Sequence, residues 1–220
     1  MKIPWKCFEK VSYNFNMTKN AKPPFDATAI RDPAHIRLLA SPVRQELVDT
    51  LASLGGMATV AELSEQLGRP ADGLYYHLQL LAESELVQEG EGAAGERVFR
   101  LAGAAGVPLR LSYDLASDAA SAALAAYAKG LAQVAERDFQ AALKQRNVEV
   151  DGPGRQLWAA RNKGWLNQAE LAEANALLGR LCDLLSRPRD PSRDRPMSLA
   201  FVLAPAAVRG RRRAPKGGRG

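Results

Sequence analysis

The chain has 220 residues, 46% of them hydrophobic, with 30 basic against 24 acidic side chains and a formal net charge of +6. That length supplies two small domains with cores of their own. No stretch reaches about 18 uninterrupted apolar residues, so no membrane-spanning helix is expected.

Residues 1–30 form an N-terminal extension, expected to be disordered, that mixes aromatics with lysine and asparagine while the body is rich in alanine, leucine and arginine. The segment lacks the continuous apolar core of a secretory signal. The break in composition near Met17 makes that methionine a candidate start of translation.

Residues 31–103 read as a winged helix-turn-helix. Asp32 before Pro33 is a helix-start signal, because the carboxylate can accept an orphan amide and proline fills the first helical position without losing a needed donor. The first helix is short, about Pro33 to Ala40. Ser41-Pro42 repeats the signal, and Val43, Leu47, Leu51 and Leu54 share one face of a second helix that Gly55-Gly56 ends. Thr59 with Glu62 three residues later is a reciprocal capping pair opening a third helix, with Val60, Leu63 and Leu67 as its buried stripe and Gly68 as its stop.

A fourth helix starts near Pro70 and carries Leu74, His77, Leu78 and Leu81 toward the core. Its other side presents Asp72, Tyr76, Gln79 and Leu80, flanked by Gly73 and Tyr75, and in this architecture that side enters the major groove. Leu86-Val87, the polar loop Glu89 to Glu96 and the alternating run Arg97 to Leu101 then make a β-hairpin wing.

The run Leu38 to Leu51, the string Leu74-Tyr75-Tyr76-His77-Leu78 and the Leu86-Val87 step into the wing resemble ArsR-type winged helix-turn-helix transcriptional regulators over about residues 33–101. The resemblance implies a bacterial, cytoplasmic homodimer that binds double-stranded DNA and responds to an effector. It places Tyr75, Tyr76 and Gln79 against bases or phosphates, with Arg97 and Arg100 in the wing; Thr59, Arg69, Asp72 and Gly73 complete the expected DNA-binding set. Relatives of this type commonly carry small hydroxyl residues at the start of the recognition helix, where Asp72 and Gly73 stand here. A basic residue is common where Gln79 stands. Asp72 reads either as a first-turn acid complementing the helix dipole or as an acceptor for a cytosine amino group.

Charge tests this reading. Residues 31–103 hold six arginines against eleven acids, a net of −5, whereas Arg209, Arg211, Arg212, Arg213, Lys216 and Arg219 crowd the basic tail at 206–220, which is expected to be disordered. That tail is either a phosphate-tracking arm or a solubilising end. The acidic balance sustains an alternative in which the winged domain is a protein-interaction or RNA-associated module.

Past the linker Gly103 to Pro108, residues 109–146 hold a long alanine-dense helix, Ser117 to Lys144, with Leu124, Tyr127, Leu131, Val134, Ala135 and Phe139 near the helical period. A dimer seam is the expected role of this helix, because two half-sites favour two-fold symmetry, with packing within the chain as the competing reading. Residues 155–205 read as a small α+β unit: a strand from Gln156 to Leu166, a helix opened by Asn167 and Glu170, and a strand from Met197 to Ala204. Tyr127, Trp158, Trp165 and Phe201 are candidate effector-pocket walls, although aromatics at such spacings are more often core.

Two cysteines, Cys7 and Cys182, and two histidines, His35 and His77, are too few and too far apart for a metal site, so neither metal nor cofactor is expected. His77 reads as a hydrogen-bonded core histidine and Cys182 as a small hydrophobe. No phosphate loop, nucleophile elbow or paired histidine and carboxylate points to an enzyme. The fold class expected is therefore mainly α with a small β component, a winged domain followed by a long helix and a C-terminal unit.

Overall fold

The computed structural model describes residues 29–92, 95–102, 110–112, 114–115, 117–187 and 190–206. The N-terminal extension to residue 28, with Cys7 and Met17, the linker at 103–109 and the basic tail from 207 lie outside the described residues. The architecture is mainly α with a small β component, and the helix-turn-helix region is followed by a long helix.

Helix α1 (Pro33–Leu38) begins where Asp32 accepts the Ala34 amide at 2.8 Å with Pro33 at the first position. It ends two residues before Ala40, and a turn leads into α2 (Pro42–Ser53). The Ser41 hydroxyl makes no capping bond, so proline alone marks that start. Helix α3 (Val60–Leu67) has the expected reciprocal cap: the Thr59 hydroxyl accepts the Glu62 amide at 3.2 Å, and the Glu62 carboxylate accepts the Thr59 amide at 2.7 Å. Gly68 closes it in the left-handed region at φ 59°, which a residue with a Cβ reaches only with strain. Helix α4 (Ala71–Glu83) follows after a two-residue turn.

A three-stranded antiparallel sheet completes the winged domain. Its strands are β2 (Met57–Thr59), β3 (Val87–Glu91) and β4 (Arg97–Leu101) in the order β2-β4-β3, with Thr59 opposite Val98 and Val87 opposite Leu101. The hairpin was expected; β2 was not. Leu47, Leu51, Leu63, Leu74, Leu78, Leu81 and Phe99 are all at most 1% exposed and form a single core beneath the helices and sheet. Two further short strands, β1 (Ala29–Ile30) and β5 (Arg110–Leu111), pair in parallel and bring the two ends of the domain together.

Helix α5 (Asp118–Leu143) packs on α1 and α2 through Ala120, Ala123, Gly130 and Val134. This face realises the within-chain reading of the long helix. Gly130 is required there: a Cβ at that position would collide with the Ala40 carbonyl and the Gln45 amide.

The C-terminal unit departs from expectation. Helix α6 (Gln168–Leu185) is present with its capping box, the Asn167 side chain accepting the Glu170 amide at 2.9 Å. The segments read as strands, Gln156 to Leu166 and Met197 to Ala204, form no strand in the chain; both run without helix, turn or bend. Leu199, Phe201 and Leu203 do alternate along the second, but among the described residues neither segment has a neighbouring strand to complete a ladder. Arg110 ties α6 to β5 through Asp183 at 3.1 Å, and Ser198 donates to Asp138 of α5 at 2.6 Å.

Candidate nucleic-acid interface

Helix α4 divides cleanly. Leu74, Leu78 and Leu81 are buried, while Asp72, Gly73, Tyr75, Tyr76 and Gln79 face outward, Tyr76 being 64% exposed. The 100° advance per residue that buries the leucines necessarily turns these side chains to solvent. Leu80, expected among them, is half-buried instead. A Cβ at Gly73 would meet nothing, so that position leaves room beside the helix start for close approach of another molecule.

The turn entering α4 is pinned at Arg69 by two contacts. The Ser64 hydroxyl donates to the Arg69 carbonyl at 2.6 Å, and the Arg69 guanidinium donates to Glu46 of α2 at 3.1 Å. The same Glu46 carboxylate also pairs with Arg137 of α5. Arg69 is thus a brace of the turn as much as an outward cation.

The wing is coupled to α4 through Arg97. Its guanidinium lies 5.3 Å from the Tyr75 ring centroid and 6.0 Å from that of Phe99, and it bonds the Glu89 carboxylate across the hairpin at 2.6 Å. A cation over an aromatic face and a facing carboxylate together fix both side chains. Arg100, three residues on and so on the other face of β4, donates to the Met57 sulfur at 3.3 Å. Gln79 donates to Glu83 at 3.0 Å. Thr59, placed in the DNA-binding set by sequence, spends its hydroxyl on the α3 cap, donating to Glu62 at 2.9 Å.

Sequence reasoning did not single out Arg44. It lies in the first turn of α2, donates to the Leu38 carbonyl and sits within electrostatic reach of Tyr76 and His77. Only the tertiary packing of α2 against α4 brings it there. His77 is half-buried, its ring edge-on to Tyr76 at 5.3 Å. Burial holds its pKa below the usual imidazole value, and the charges of Arg44 and Arg69 push the same way. Its Nδ1 is buried with no hydrogen-bond partner among the described residues, contrary to the hydrogen-bonded histidine expected.

Comparison with known families matches residues 39–89 to a helix-turn-helix domain. That span runs from the end of α1 through α4 into β3, and so contains the whole outward face of α4. No curated protein matches the chain. Among the described residues, no helix is long and apolar enough to cross a membrane, and no group of three His, Cys, Asp or Glu side chains is placed to hold a metal ion.

The four candidate pocket walls differ in exposure. Tyr127 packs against the winged core from α5, whereas Trp158, Trp165 and Phe201 are 67%, 88% and 42% exposed.

Proposed function

We propose that this protein is a cytoplasmic DNA-binding transcriptional regulator of the ArsR-type class, acting as a homodimer. Each α4 lies in a major groove of a two-fold operator, and each wing reaches the backbone or the minor groove. One observation carries the proposal: the tyrosines and Gln79 of α4 project from a helix whose opposite face is anchored in the core, beside a hairpin whose Arg97 is coupled to the same helix. Tyr75, Tyr76 and Gln79 read base edges or phosphates, and Asp72 and Gly73 set the approach of the helix start. Arg69, Arg97, Arg100 and Arg44 supply positive charge around them. An effector site walled by Tyr127, Trp158, Trp165 and Phe201 is left out of the proposal, because three of the four stand open to solvent.

The exposed acids Asp72, Glu83, Glu85, Glu89 and Glu91 along α4 and the wing favour the second reading, a protein-interaction or RNA-associated module. Duplex binding separates the two. A pool of random duplexes, selected on the full chain and then titrated at two salt concentrations, should give saturable binding that weakens with salt. Tyr76→Ala with Gln79→Ala should cost roughly tenfold or more in affinity for the selected sequence, since a good base contact is worth about 1–3 kcal/mol. Failure to enrich any duplex sequence overturns the regulator reading.

A further inference from the structure

Helix α6 is 18 residues long and buries none of them. Most helical stability in proteins comes from packing an apolar face rather than from intrinsic propensity. Such a face is present. Leu171, Ala174, Leu178, Leu181 and Leu185 recur at alternating spacings of three and four, the period of a helix-on-helix seam, with Leu177 and Leu184 widening it on one flank. Leu181 and Leu185 are 42% and 44% exposed.

The segments on either side repeat the situation in another geometry. Between residues 158 and 166, and again between 194 and 206, the backbone makes no hydrogen bond to any described residue. Open backbone of this kind is what a pairing strand completes. Leu199, Phe201 and Leu203 alternate along the second segment and are 42–52% exposed. Ser198 fastens that segment to α5 and leaves those three uncovered.

We infer that residues 155–206 of two copies of this chain form one shared core, with the α6 seams meeting across a two-fold axis and segments 158–166 and 194–206 laid against the partner. The open backbone of both segments is then paired between copies. The inference takes from the reading above only the number of copies, and it locates their contact on α6 and its flanks rather than on α5.

Area supports a partner of this size. Trp158 and Trp165 leave on the order of 300 Å² open, taking about 150–250 Å² for a whole aromatic side chain. The eleven other large apolar side chains exposed from Leu166 to Leu203 leave on the order of 500 Å² more. A standard interface takes about 800 Å² from each partner. Spacing favours a second copy over a different protein: a three-four leucine seam is complementary to itself, and a two-fold axis sets the seam of each helix against the same seam of the other.

The test uses the full chain without DNA: sedimentation equilibrium at micromolar concentration, with amide hydrogen exchange followed residue by residue. The expected mass is twice 23.8 kDa. Amides 158–166 and 195–203 should exchange about 100-fold or more slowly than an unstructured peptide. Leu178→Asp with Leu181→Asp should give a monomer whose α4 amides keep their protection and whose flanking segments lose theirs. A wild-type monomer overturns the inference, as does a dimer that survives the double substitution or a wild-type dimer whose segments exchange at the peptide rate. The wild-type exchange decides even if the variant fails to fold. A dimer of this kind that enriches no duplex removes the regulator reading alone, and a monomer that binds DNA removes this one alone.

Discussion

Helices α4 and α6 carry leucines at the same alternating spacing and meet opposite fates. Leu74, Leu78 and Leu81 are each at most 1% exposed, whereas α6 buries no residue in the chain. Both helices have their start signals, and α6 has the better one, a full capping box against a proline with no capping bond. The contrast teaches that periodicity identifies which face of a helix needs cover and caps identify where it starts, but neither identifies what provides the cover. In the winged domain the cover is α2, α3 and the sheet. Along α6 the described residues of the chain leave that cover incomplete, with Ala174 and Leu178 half-buried and Leu171, Leu181 and Leu185 exposed.

Three perturbations break or sharpen this contrast. The largest effect is expected from the aromatic pair Phe99 and Phe201, one sealed beneath the wing and one open. Phe99→Ala should lower the stability of the winged domain by about 3–5 kcal/mol, read from denaturant unfolding, because it leaves a cavity in a closed core. Phe201→Ala should change that same transition by less than about 0.5 kcal/mol. Equal losses would show that the two regions form one cooperative unit within the chain.

Gly130→Leu tests the one long-helix face that is covered internally. The added side chain meets the Ala40 carbonyl and the Gln45 amide, so α5 must move off α1 and α2, at an expected cost of about 1–3 kcal/mol in the same measurement. An unchanged transition would show that α5 is not held by this packing.

The smallest effect is a pH dependence. The folded His77 imidazole has a lowered pKa, so the folded state binds fewer protons than the unfolded one just below the ordinary imidazole value of about 6.5. Its contribution is therefore complete above that value and is lost as pH falls toward the folded pKa. The wild-type melting temperature should fall across this window by more than that of His77→Gln. A steeper fall in the variant would show that the neutral ring is not the favoured form.

Much of the winged domain was legible because its rules are local. Asp32-Pro33, Thr59 with Glu62, and Gly68 are each a chemical instruction carried within four residues, and each acts in the structure as its chemistry dictates. Strands β1, β2 and β5 were illegible because two or three residues cannot display a period, and their existence depends on the partner strand. Segment 197–204 fails in the reverse sense: the alternation is present and, among the described residues, the partner strand is not. At the candidate interface, the outward set on α4 followed from helical geometry alone. That Arg97 stacks on Tyr75, that Arg69 braces against Glu46 and that Arg44 approaches Tyr76 all depend on tertiary packing, which no spacing encodes.

The bond between Arg97 and Glu89 has a consequence for how this surface meets a polyanion. A guanidinium already facing a carboxylate can touch a phosphate only by trading one anion for another or by sharing itself between them. The released Glu89 then stays nearby and repels the newcomer. Such a swap displaces fewer bound cations from a duplex than an unattached arginine does, so contacts made this way flatten the response to salt and leave shape to choose the site.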